Sequence, residues 1–339
     1  MEKDIERMSS VRMPSVAVCI VTWNSAEWIE DCLACVARQT WPNLHVVVVD
    51  NASQDDTLRH IERSGVPVRL LRNERNEGFA AGQNRAIMAT DADYCLVLNP
   101  DVRLAPDYVE KLVRRMEERP DIGSAAGCLV LKADPSLVDS AGLDMLWTRR
   151  VVERGAGRPA AAFGEPTEVF GVSGAAAMYA RRMIREVAVD GQFFDEDFFA
   201  YKEDVDVAWR ARRLGWRAWY EPAARAEHAR GWGRRSDRRR IPLVVRRHSY
   251  KNRYLMILKN ESFGPAWWLR LPGLLAVELA WHAYLLGRDP AVLGAWPQLI
   301  RLIPRAWRKR RALRQMLRMK EQRKHLHPGA IEGSTSAEG

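Results

Sequence analysis

Four short apolar runs, at residues 16–21, 45–49, 68–71 and 94–98, alternate with helix-like segments near 27–38, after 53–56 and at 80–89. Strands that alternate with helices fold into a doubly wound, mainly parallel α/β sheet. Three of the four runs stop at polar clusters: Thr22-Trp23-Asn24-Ser25, Asp50-Asn51-Ala52-Ser53-Gln54-Asp55-Asp56, and Asn99-Pro100-Asp101. Ligands of such sheets bind beyond the carboxyl ends of the strands, so these clusters converge on one crevice. Ser53 or Asp55 is the expected N-cap of the second helix. No GxGxxG or GxxxxGK[ST] follows the first run, which removes support for a dinucleotide oxidoreductase or a P-loop ATPase.

The chain has 339 residues, enough for one large domain over 15–240 and a helical extension over 241–324, with tails at 1–14 and 325–339, the latter expected to be disordered. Its formal charge of +10 is matched by residues 301–324 alone, where eleven Lys or Arg stand against Glu321. A basic tail that follows a Trp-rich segment points to an anionic lipid surface rather than to nucleic acid, although an Arg-tail nucleic-acid binder is the non-enzyme alternative. The apolar stretch 265–287 is interrupted by Arg270, Pro272, Glu278 and His282, which favours lying on a membrane over crossing it. The first ten residues are charged and lack an apolar core, so no signal peptide is expected and the protein should sit on the cytoplasmic face of the membrane. Cysteines 19, 32, 35, 95 and 128 are odd in number and fall mostly in apolar runs, which suits buried thiols; Cys32-Leu33-Ala34-Cys35 has no second pair with which to hold zinc.

The chemistry centres on two acidic features. Asp101, after an apolar strand, is placed to bind a divalent cation that would neutralise a diphosphate, or else to cap a turn. The run Glu203-Asp204-Val205-Asp206-Val207-Ala208-Trp209-Arg210 opens a helix after Phe193-Phe194-Asp195-Glu196-Asp197-Phe198-Phe199. A sugar hydroxyl needs a carboxylate to take its proton as it attacks, and Asp204, beside Glu203, is the candidate base. Asp206 and Arg210 stand at i and i+4 and should pair.

These motifs are ordered and spaced as in a known family. VTWNS at 21–25, VVDNASQDDT at 48–57, NEGFAAGQNRA at 76–86, LVLNPDV at 96–102, GVSGAAAMYARR at 171–182 and FFDEDFFAYKEDVDVAWRARRLGW at 193–216 resemble family 2 glycosyltransferases of the GT-A fold, in the rhamnosyltransferase-like branch. The resemblance implies an inverting transfer from a dTDP- or UDP-sugar, rhamnose favoured, with galactofuranose, mannose or N-acetylglucosamine as alternatives. The acceptor it implies is a lipid-linked or cell-envelope glycan, and a homo-oligomer is compatible with it.

Carried onto this sequence, the resemblance puts Thr22, Asn24, Asp50, Asn51 and Ser53 around the nucleotide, with Asp50 on the base. Asn76, Gly78, Gly82 and Asn84 contact the donor, the glycines equally suiting a helix packed tightly on a strand. Asn99 stands where the family more often has Asp; Asp101 and His228 hold Mg²⁺ or Mn²⁺. Gly174 and Ala175 leave room for the acceptor. Arg230, Arg234 and Arg235 clamp the diphosphate or form a solvated loop, and residues 246–259 are either core helix or lipid-phosphate contact.

Overall fold

The structure is a computed structural model that describes residues 12–229 and 241–326. Its centre is a ten-stranded sheet in the order β10 (Thr167–Val169), β12 (Arg217–His228), β6 (Ile122–Leu131), β11 (Ala176–Ala180), β4 (Tyr94–Leu98), β1 (Val16–Thr22), β2 (Leu44–Asp50) and β3 (Val68–Arg72), with β5 (Val102–Leu104) on β12 and β7 (Asp134–Ser140) on β6. The first half is wholly parallel: β1 (Val16–Thr22) lies between β2 (Leu44–Asp50) and β4 (Tyr94–Leu98), and β3 (Val68–Arg72) follows on the outside. Every residue of β1 and β4 is buried, because helices cover both faces of these strands. Helix α3 (Phe79–Met88) packs on β1 through Gly82, where a Cβ would come within 2.8 Å of the Val21 side chain. The helix-start reading of that glycine is the one observed.

The second half turns the sheet mixed. β11 (Ala176–Ala180) runs antiparallel between β4 and β6 (Ile122–Leu131), and β12 (Arg217–His228) lies parallel to β6. The start of β11 and the ends of β4 and β12 therefore meet at one sheet edge, which is the edge that carries the polar clusters. The chain leaves β1 for β2 and β3 and returns to β4 on the other side, so the switch point opens beyond β1 and β4.

Helix α6 (Glu203–Arg213) carries the expected pair: Arg210 Nε donates to Asp206 at 3.0 Å, with both side chains buried. Asp206 also accepts from Lys259 at 2.6 Å and Asn260 at 2.7 Å, so its charge is buried without a missing partner. These donors belong to α7 (Leu243–Asn260), whose buried Lys251, Asn252, Lys259 and Asn260 make its inner face core rather than a lipid contact.

Two more helices follow, α8 (Pro265–Arg288) and α9 (Trp296–Leu326). Helix α9 changes the reading of the basic tail, because part of its charge faces inward. Lys309 is buried against Asp195 and Asp197, Arg310 donates to the carbonyls of Leu258 and Glu261, and Arg305, Arg308 and Lys320 pair with Asp197, Asp190 and Glu186. Among the described residues no helix is long and apolar enough to cross a membrane. The five cysteines are buried and unpaired. The terminal tail lies outside the described residues, apart from the end of α9.

Candidate active site

A cavity of about 530 Å³ opens at the carboxyl edge and is lined by Asn99 and Asp101 after β4, Gly174 and Ala175 before β11, Glu203 and Asp204 at the start of α6, and His228 at the end of β12. The pieces are tied through backbone: Asn99 N–H donates to the Ala175 carbonyl at 2.8 Å, and Ala229 N–H to that of Asp101 at 3.0 Å.

His228 Nε2 lies 3.3 Å from Asp101 Oδ2, and its Nδ1 lies 2.7 Å from Asp139 Oδ2. Two ligands at right angles on one cation, with bonds of about 2.1 Å, stand about 3 Å apart, so the pair fits a divalent ion. Asp139 on the far nitrogen fixes the ring's orientation, a role that outer carboxylates commonly play for metal-binding histidines. Burial works against charging His228, yet Asp101 and Asp139 prevail and push its pKa up to about 9. Among the described residues no group of three or more His, Cys, Asp or Glu could hold a metal, and this pair supplies two ligands. Asp139, on β7 (Asp134–Ser140), is absent from the sequence expectations, since no local motif announces it.

Asp204 Oδ2 accepts the Gly174 N–H at 3.0 Å, and Oδ1 accepts the Val205 N–H at 2.7 Å. Burial raises its pKa, against the pull of those two N–H groups. Glu203 beside it is buried, with Oε2 lacking a hydrogen-bond partner, and burial followed by the Asp204 charge pushes its pKa up to about 8. The two carboxylates therefore resist being charged together.

The turn that delivers them is strained. Phe199, Tyr201 and Lys202, none of them glycine, have φ of 67°, 71° and 75°. Asn252 of α7 holds this turn, its amide nitrogen donating to the carbonyls of Phe198, Ala200 and Tyr201 at 2.9, 2.9 and 2.7 Å. Lys251 Nζ reaches the Asp197 carbonyl at 2.8 Å.

The residues expected at the nucleotide cluster at the ends of β1 and β2 and bond mainly to one another. Asp50 Oδ1 accepts from Thr22 at 2.8 Å and from the Ser53 hydroxyl at 2.6 Å, and Asn24 N–H donates to Ser53 Oγ at 2.9 Å. Asn51 donates to the Gly78 carbonyl at 3.1 Å, and Asn76 accepts the Gly78 N–H. Ser53 is thus not a helix cap. Asp56 holds the cap position of α2 (Thr57–Arg63), and Asp55 accepts the Thr57 N–H.

Two donor expectations change. The Asn84 amide is occupied by Phe194 and Glu196, which makes it a brace between α3 and the 193–198 loop. Gly78, at φ 90°, makes room for the Phe199 ring, which a Cβ would meet at 2.6 Å. Arg230, Arg234 and Arg235 lie outside the described residues.

A GT-A-type sheet with Asn-Pro-Asp beyond its fourth strand and an acidic helix start facing it defines a sugar transferase. The chain belongs to glycosyl transferase family 2, which it matches over residues 17–188, and it is a glycosyltransferase. It is 28% identical over 299 residues to the N-acetylglucosaminyl-diphospho-decaprenol L-rhamnosyltransferase of Mycobacterium tuberculosis, covering 80% of this chain and 92% of that one. Among solved structures it resembles the mannosyltransferase PcManGT of Pyrobaculum calidifontis in complex with GDP-Man and Mn²⁺ (TM-score 0.52, 19% identity, 94% of this chain and 89% of that one). It also resembles TarS 1–349 of S. aureus in complex with UDP (TM-score 0.52, 16% identity, 92% and 91%). At these identities the two structures speak for the fold.

Proposed function

We propose that the protein transfers rhamnose from a nucleotide diphosphate sugar to a sugar carried on a lipid diphosphate, with inversion at the anomeric carbon. The observation that carries this reading is that Asp204 and the Asp101–His228 pair line one cavity. The choice of sugar and acceptor follows the mycobacterial relative, which is named for transfer of L-rhamnose to N-acetylglucosaminyl-diphospho-decaprenol and which this chain matches over most of its length.

Asp204 accepts the proton of the acceptor hydroxyl while its oxygen bonds to the anomeric carbon and the bond from that carbon to the diphosphate oxygen breaks. Its Gly174 and Val205 hydrogen bonds orient the carboxylate, and its raised pKa makes it a better base than a solvated aspartate. Asp101 and His228 would hold Mg²⁺ or Mn²⁺, which supplies positive charge to the leaving diphosphate. Thr22, Asn24, Asp50, Asn51 and Ser53 form the nucleotide side, where their mutual bonds pre-organise the loops. The outward apolar side of α8 and the outward charge of α9 suit a protein that works on a membrane surface.

Incubating the purified protein with Mn²⁺, a short-chain N-acetylglucosaminyl diphosphate lipid and dTDP-rhamnose, UDP-galactofuranose, GDP-mannose or UDP-N-acetylglucosamine, and weighing the products, tests the reading. A rhamnosylated lipid is expected; a product carrying only another sugar would reject the donor.

A further inference from the structure

A second cavity, of about 220 Å³, adjoins the first: Val151, Val152, Lys202 and Ser249 line both. Its wall is strongly cationic. Arg149, Arg150, Lys202 and Arg253 face it, against the single carboxylate of Glu278. Much of this charge is uncommitted. Arg149 is taken by Glu261, and one end of Arg253 by Glu278 and the Thr148 carbonyl. Nε and Nη1 of Arg253, however, are buried with no hydrogen-bond partner. Arg150 lies over the Trp281 ring at 5.1 Å, and among the described residues neither it nor Lys202 has a carboxylate within ion-pair distance. Buried N–H donors without acceptors are costly unless a ligand supplies the acceptors. Guanidinium forks beside a lysine suit a diphosphate.

The rim adds a second property. Leu146 lines this cavity and is 44% exposed, and its neighbour Trp147 is 55% exposed. Helix α8 gives Val277, Glu278 and Trp281 to the wall while Leu275 and Leu279 stay exposed on its outer side. A clustered exposed apolar surface beside a cationic seat suits a molecule with an anionic head and a hydrocarbon tail.

We infer that the second cavity seats the diphosphate of the acceptor, with Arg150, Arg253 and Lys202 as its ligands, and that the lipid leaves past Leu146 and Trp147 along α8. The acceptor sugar then reaches Asp204 through the shared wall, and the donor diphosphate stays apart at Asp101 and His228. This assignment rests on the reading above that the acceptor is a lipid diphosphate.

The test is calorimetric binding of farnesyl diphosphate, farnesol, inorganic pyrophosphate and UDP with Mn²⁺ to the full chain and to Arg150→Gln and Arg253→Gln. Arg150 is on the surface, so its substitution leaves the core intact even if Arg253→Gln fails to fold. Farnesyl diphosphate should bind more tightly than farnesol. Arg150→Gln should weaken farnesyl diphosphate and pyrophosphate by the same factor, at least about tenfold, the scale of one lost charge-assisted hydrogen bond, with UDP binding unchanged. Equal binding of farnesol, displacement of farnesyl diphosphate by UDP, or an unaltered Arg150→Gln would each overturn the assignment.

The same variant separates the site from the reading beneath it. A diphosphate bound through Arg150 in a protein that transfers nothing to a lipid diphosphate would keep the site and reject the acceptor. Transfer with an unchanged acceptor KM in Arg150→Gln would do the reverse.

Discussion

The backbone N–H of Gly174 donates to Oδ2 of Asp204 across 3.0 Å, joining the segment before β11 to the first turn of α6. A carboxylate held by its neighbours' main chain keeps its direction without help from substrate, which is what a positioned base requires. Behind it, Asn252 fixes the strained turn and Lys259 fixes Asp206, so the base rests on α7 as well as on the sheet.

Asn252→Ala should therefore reduce turnover at an unaltered donor affinity. Its amide bonds three carbonyls of the turn that carries Phe199, Tyr201 and Lys202 at positive φ. We expect kcat to fall by about tenfold to a hundredfold, as for other losses of positioning, with donor Kd within about twofold of wild type. Steady-state kinetics beside donor titration check this; a parallel loss of donor binding would make Asn252 a general stabiliser.

Asp101→Ala and His228→Ala should lower Mn²⁺ affinity and, with it, the tightness of nucleotide diphosphate binding in the presence of the metal. In the absence of metal the variants should bind nucleotide as wild type does. Mn²⁺ titration followed by electron paramagnetic resonance reads the first effect directly. Full Mn²⁺ affinity in both variants would remove this pair from the metal site.

Glu203 gives a pH signature in stability. Burial, then the charge of Asp204, raises its folded pKa from 4.5 to about 8, so its contribution is complete below the unfolded value and is lost as pH rises through the folded one. Glu203→Gln escapes this loss. The Tm difference between variant and wild type should move in favour of the variant from about pH 4.5 to about pH 8 and level off above. A difference that stays flat across that range would show that Glu203 is charged in the folded protein.

Local pattern carries the sheet. The runs at 16–21, 45–49 and 94–98 agree with β1, β2 and β4 to within a residue at each end, because buried strands announce themselves as nearly unbroken apolar stretches. The Asp206–Arg210 pair is legible for the same reason, being one helical turn apart. Asp139, Asn252 and Lys259 are not legible, since each meets its partner through contacts that no local spacing encodes. Lys309 lies between these cases. In a segment read only for charge it looks solvated, yet Leu302, Ala306, Lys309, Arg310 and Leu313 recur at helical spacing and are all buried. Periodicity held a signal that composition hid.

The most direct test is transfer from dTDP-rhamnose to the N-acetylglucosaminyl diphosphate lipid by wild type and by Asp204→Asn, with donor binding measured on both. Wild type should make product, Asp204→Asn should lose at least about a hundredfold in kcat, the usual scale for a general base, and both should bind the donor alike. Undiminished turnover by Asp204→Asn would contradict the role of Asp204 as the base.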